Sequence, residues 1–146
     1  MLKRSFYRIL LLIIVFVVML SGCRGYDGRL DVAYFLKTGP EKAVLDFFYS
    51  LNNKDADFIY TNLLPSSDKN NISRDKYVDE FKKILSDIES IDVKETVYLG
   101  YENNMSKVVA EFEVSYKNGE VKKYKKYMYL TEEENKWKII FEKTFI

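Results

Sequence analysis

One thiol, no imidazole and twelve phenols are what this chain of 146 residues offers for side-chain chemistry. The lack of histidine removes Ser-His and Cys-His nucleophile pairs, imidazole proton relays and the commonest metal ligand together. No metal and no cofactor are therefore expected. The lone thiol, Cys23, has no second cysteine in the chain with which to form a disulfide. What remains is carboxylate and phenol chemistry, in which an acid buried beside a tyrosine acts as a base with a raised pKa. The acids to consider are Asp46, Asp57, Glu111 and Glu113; the phenols include Tyr60, Tyr98, Tyr101, Tyr116, Tyr127 and Tyr129. Spacing speaks against these acids. Asp46 and Asp57 fall on the polar faces of helical patterns, and Glu111 and Glu113 alternate out of phase with Phe112, toward solvent. The chain reads as non-enzymatic.

The place of Cys23 says more than its number. Lys3, Arg4 and Arg8 precede an unbroken apolar run from Ile9 to Leu20, and Ser21, Gly22 and Cys23 follow it. A cationic start and an apolar segment of this length have the form of a secretory signal. Twelve residues at about 1.5 Å each span about 18 Å, short of the ~30 Å hydrocarbon core, so a membrane-crossing helix fits worse. Leu20-Ser21-Gly22-Cys23 resembles the lipobox of bacterial lipoproteins. That resemblance implies a diacylglycerol on the Cys23 sulfur, cleavage between Gly22 and Cys23, and a lipid-anchored place on the extracytoplasmic face of the cell membrane. Two acyl chains hold firmly where one would be marginal. The expected organisation is a signal over 1–22, a lipidated cysteine and tether over 23–37, and a folded domain over 38–146. Loss of the three early cations leaves a slightly acidic remainder, which argues against a nucleic-acid partner. The frequent Lys, Asn, Ile and Tyr fit an AT-rich genome and a Gram-positive host.

The elements that must position any site follow the tether. Thr38-Gly39-Pro40-Glu41 has the form of a capping box, and Ala43, Val44, Phe47, Phe48 and Leu51 then recur at helical spacing. A second, shorter helix carries Ala56, Ile59, Tyr60 and Leu63 and stops at Pro65. Ser73 is expected to cap a third, whose stripe is Tyr77, Val78, Phe81, Ile84, Leu85 and Ile88. After Ser90 the period becomes two. Ile91, Val93, Val97, Leu99 and Tyr101 alternate with polar residues, Glu95 excepted, and Val108, Ala110, Phe112, Val114 and Tyr116 alternate throughout. Asn118-Gly119 predicts a type I′ hairpin with positive φ at both residues. A third strand runs from Glu120 to about Leu130, Thr131 to Asn135 turn the chain, and Trp137, Ile139 and Phe141 share one side of a last segment.

Helices first and antiparallel strands after make the chain α+β. This order, with the paired first helices around FFYSLNNKDADFIYTNLL, the long hairpin and the terminal WKI, resembles the nuclear transport factor 2-like (cystatin-like) superfamily over residues 38–146. The resemblance implies three N-terminal helices packed on a curved, cone-shaped sheet of four or more antiparallel strands. It also implies a pocket beneath the helices. Tyr60, Tyr98, Phe112, Tyr127, Tyr129 and Trp137 are the residues expected to line it. The function expected is that of a protein-interaction or small-ligand-binding domain in the cell envelope, with an envelope protein or a small ligand as partner. The alternative is a pocket enzyme like the ketosteroid isomerases of that superfamily, with an Asp or Glu base and a Tyr donor. The run KKYKKYMY, residues 122–129, puts Lys122, Tyr124, Lys126 and Met128 on one face and Lys123, Lys125, Tyr127 and Tyr129 on the other. Neither face is apolar, which predicts a bulge that re-phases the strand. Basic residues among aromatics there could meet anionic headgroups, or simply form a solvated strand face.

Cys23→Ala should yield an unprocessed precursor without lipid. A mass and membrane fractionation unchanged from the wild type would refute the anchor.

Overall fold

The computed structural model describes residues 32–144. The expected signal, the cleavage site at Gly22 and the lipidation site at Cys23 lie outside the described residues. The chain divides after Leu36. The described part of the first unit is one short helix, α1 (Val32–Leu36), within the segment expected as a tether. The second unit, which starts at Lys37, contains every residue of the hydrophobic core.

That unit begins with α2 (Gly39–Asn52), and the capping box forms as expected. The Glu41 amide donates to the Thr38 hydroxyl, and the Thr38 amide donates back to Glu41 Oε2 at 2.9 Å. Two of the orphan donors of the first turn are thereby satisfied, and Pro40 has none to satisfy. The helix is also tied to the sheet at each end. Lys37 at the head pairs with Glu41 and donates to the carbonyl of Thr96. Asn52 at the tail uses its whole amide, donating to the Ile91 carbonyl at 2.6 Å and accepting from the Ile91 amide at 2.7 Å. Between these ties Val44, Phe47 and Phe48 are buried.

A short helix, α3 (Ala56–Phe58), is capped by Asp55, whose carboxylate accepts from the Phe58 amide at 2.9 Å. It runs on into a π-helical turn over Ile59–Leu63, and Leu64 then leaves in extended backbone before Pro65. One further turn of helix, α4 (Ser66–Lys69), lies between Pro65 and Ser73. Next comes α5 (Arg74–Ile84). Ser73 occupies its N-cap position in extended backbone, but its side chain makes no capping bond. Phe81 and Leu85 of the predicted stripe are buried, whereas Ile84 is 72% exposed.

The sheet has four antiparallel strands in sequence order, β1 (Ile88–Glu102), β2 (Met105–Tyr116), β3 (Val121–Glu133) and β4 (Lys136–Ile139). A final turn of helix, α6 (Phe141–Thr144), takes Phe141 out of the last strand. The bulge expected in β3 is elsewhere. β2 and β3 pair without a register shift from Ser106 with Leu130 to Ser115 with Val121, while β1 shifts at Ile88/Ser90, Val93/Glu95 and Tyr98/Gly100. The middle bulge absorbs Lys94 and inverts the parity that follows. Thr96 and Tyr98 therefore turn inward, opposite Ala110 and Val108, and Val97 turns outward, opposite Val109.

Turn chemistry also departs from expectation. At Asn118-Gly119 only Gly119 has positive φ, at 84°. The Gly119 amide reaches the Tyr116 carbonyl at 2.9 Å and the Tyr116 amide the Glu120 carbonyl at 2.8 Å. This is a three-residue loop closed by a left-handed glycine. Two-residue turns with positive φ at both positions occur instead at Asn103-Asn104 and Glu134-Asn135, and the strand expected to end near Leu130 continues to Glu133.

Two predictions follow from the way α2 is seated. Burial works to raise the Glu41 pKa, but hydrogen bonds from the Thr38 amide and hydroxyl and from Lys37 outweigh it and hold the carboxyl below its ordinary value. A folded value below the unfolded one stabilises the protein above the unfolded pKa, and that gain is lost as pH falls through the folded value. Glu41→Gln should cost about 1 kcal/mol at neutral pH and flatten the acid limb of stability against pH, read by urea denaturation. A Cβ on Gly39 would lie 2.4 Å from Nε1 of Trp137. Gly39→Ala should therefore destabilise by about 1–3 kcal/mol through overpacking, although the same change in an open helix position stabilises.

Candidate functional site

The inner face of the sheet is only partly covered. α2 lies against β1, β2 and β4, whereas α5 rests on α3, and Phe81 of α5 and Leu85 just after it reach into the core from there. The gap between α5 and the sheet is a groove of about 510 Å³. α2 supplies Phe47, Phe48 and Leu51 to its wall; α5 and the turn after it supply Tyr77, Phe81, Ile84 and Leu85. The sheet contributes Ile88 and Ile91 from β1, Phe112, Val114 and Tyr116 from β2, and Tyr124 and Lys126 from β3; Phe141 of α6 completes the wall with Glu80 of α5.

Ring packing fixes these walls. Phe112 is the centre: its ring lies 4.6 Å from that of Phe48 and stacks on Tyr124 at 5.4 Å. Tyr124 and Tyr116 bring their hydroxyls to 3.1 Å of each other. That shared hydrogen bond, together with burial, raises the Tyr116 pKa. Tyr77 lies between the rings of Tyr60 and Phe81, and burial pushes its phenol far above the usual range. The phenols here are neutral hydrogen-bonding groups in an apolar wall. They suit an orienting role in a binding site.

Of the residues expected to line a pocket, Phe112 alone is on this wall. Tyr127 and Tyr129 lie on the outer face of β3, where the Lys107 ammonium stands 4.6 Å and 5.5 Å from their ring centroids. Strand parity excludes them: Phe112 faces inward and pairs with Tyr124, so alternate residues of β3 from Tyr124 share the inner face and Tyr127 cannot. Tyr60 donates its hydroxyl to the Ile72 carbonyl, just ahead of α5. Tyr98 packs on the core from beyond the β1 bulge, and Trp137 covers the start of α2 at Gly39. Most of the missed wall, from Phe47 to Leu85, consists of the amphipathic stripes visible in the sequence. Tyr116 shares the face of Phe112 in the alternation of β2, whereas Tyr124 and Lys126 required the β2–β3 pairing to be known.

The candidate acids lie off this wall. Asp57 is held by Arg74 at 2.7 Å, Glu111 by Lys125 at 2.6 Å, and Glu113 by Lys123 at 3.1 Å and Lys94 at 3.3 Å. Hydrogen bonds from Lys123 first and Lys94 second lower the Glu113 pKa, so it stays charged. Asp46 is half-buried on α2. The carboxylate on the groove wall is Glu80, 3.9 Å from Lys76. Among the described residues there is no cluster of acids suited to a metal ion, and no helix is long and apolar enough to cross a membrane.

A family model described as an NTF2-like N-terminal transpeptidase domain matches residues 39–146. None of the curated proteins compared matches the chain. Among solved structures, the solution structure of a SEC-C motif containing protein from Rhodopseudomonas palustris is similar, with a TM-score of 0.54 at 11% identity. The likeness covers 69% of this chain and 74% of that one, and at such identity it concerns the fold alone.

Proposed function

The chain belongs to the NTF2-like N-terminal transpeptidase domain family, and on that premise we propose that it is a non-enzymatic binding domain acting at the outer face of the cell membrane. In this reading a diacylglycerol on Cys23 holds the domain at the bilayer. The sheet curls around its helices as a cone, and the groove between them receives an apolar ligand. The observation that carries the reading is the groove itself. Its size falls within the range of about 300–1,000 Å³ common for small-molecule sites, and its wall combines aromatic and aliphatic side chains with a few phenols. An apolar surface left open to water has a cost in stability that a bound ligand would recover.

A neutral apolar fluorophore such as N-phenyl-1-naphthylamine should bind segment 37–146 saturably, with a blue-shifted emission. Ile84→Trp places an indole at the rim from an exposed position, so it should weaken binding several-fold and leave the denaturation midpoint unchanged. Absence of saturable binding by the wild type would remove the reading.

A further inference from the structure

β3 carries lysines on both faces, and the two faces treat them differently. On the outer face the register sets Lys123 opposite Glu113 and Lys125 opposite Glu111, and both pairs close, at 3.1 Å and 2.6 Å. On the inner face the opposite residues are apolar: Lys122 faces Val114 and Lys126 faces Ala110. Lys122 still finds Glu120 at 3.3 Å. Lys126 does not. It is half-buried on the groove wall and makes no hydrogen bond or ion pair among the described residues.

A lysine whose stem lies on an apolar wall and whose ammonium has no carboxylate partner is placed to meet an anion carried on an apolar chain. The one carboxylate on that wall, Glu80, is exposed and lies near its own cation, Lys76. Lys126 also precedes the point where β3 gains its neighbour, since β4 pairs only from Leu130 onward. The strand edge beside it is therefore uncovered by β4, and a ligand head could enter there. Away from that strand edge the wall has few hydrogen-bonding groups, so a peptide running in under α5 along Phe112 would leave its amides unpaired. An acyl chain has none to satisfy.

We propose that the groove takes a single-chain amphiphile with an anionic head, a long-chain fatty acid, with the chain against Phe112 and the carboxylate at Lys126. The proposal rests on the groove being a ligand site and adds the class of ligand. The test uses the full-length protein in membranes from cells that express it. Hexadecanoic acid with a diazirine at its far end is photolysed and the labelled residues are mapped by mass spectrometry. Labels should fall on the groove wall. Unlabelled hexadecanoate should compete at least tenfold better than hexadecanol, and each shortening by two methylenes should cost roughly tenfold. Lys126→Glu should reverse the head-group preference, so that hexadecylamine competes best, and Lys126→Met should abolish the preference without abolishing the label. Lys123→Glu should change nothing.

Equal competition by acid and alcohol would overturn the anionic head and leave the binding reading standing. Labelling confined to residues 1–31 or to the outer face would overturn the fatty-acid site, and so would stronger competition by an acidic amphipathic peptide. Absence of any label with both the acid and a neutral diazirine alcohol would remove the underlying reading as well.

Discussion

The pairing of β2 with both its neighbours is the constraint on which the other features depend. Its ten-residue register with β3 has no shift, so the alternation of Val108, Ala110, Phe112 and Val114 imposes an inside and an outside on the whole third strand. Outside, acids and lysines lie directly opposite and form a ladder of exposed ion pairs, each worth little alone. Inside, Tyr124 stacks on Phe112 and Met128 and Leu130 are fully buried. A one-residue slip would exchange these faces, drive lysines into the core and expose the rings. The two patterns protect one another.

β1 meets the same ruler differently. Its three irregularities let a long edge strand follow β2 while correcting phase, and the correction turns Val97 out and Thr96 in. Edge strands expose unpaired backbone groups and invite association. Here α2 answers part of that exposure, because Asn52 pairs with Ile91 as a strand neighbour would and Lys37 holds the carbonyl of Thr96. One helix thus supplies core side chains and closes two positions of the sheet edge. With α2 seated on the sheet and α5 carried on α3, the inner face beneath α5 is left partly uncovered. The groove follows from that asymmetry, and its wall is made of the same rings that build the core.

The electrostatics separate along the same division. Three of the acids that first invited a catalytic reading, Asp57, Glu111 and Glu113, are engaged by Arg74, Lys94, Lys123 and Lys125, and the two lysines beside Glu113 lower its pKa. The phenols of the groove are neutral, through burial for Tyr77 and a shared hydrogen bond for Tyr116. Neutral rings with one unpaired ammonium and an exposed carboxylate, Glu80, are chemistry for holding a molecule.

What the sequence determined by itself is local. The capping box at Thr38 and Glu41 and the stripes of α2 and α5 depend on residues three and four apart. The alternation of β2 depends on residues two apart, and the cationic, apolar and Leu20-Ser21-Gly22-Cys23 sequence is contiguous. Such signals survive without knowledge of neighbours. Tertiary structure alone decided the phase of β1, the facing of the KKYKKYMY strand and the membership of the groove. The parity of a strand has meaning only against its partner, and one bulged residue such as Lys94 inverts it without a distinctive side chain to mark the place. Tyr127 and Tyr124 therefore look equivalent in the sequence. The strand opposite them makes one an outer-face platform for Lys107 and the other a wall of the groove.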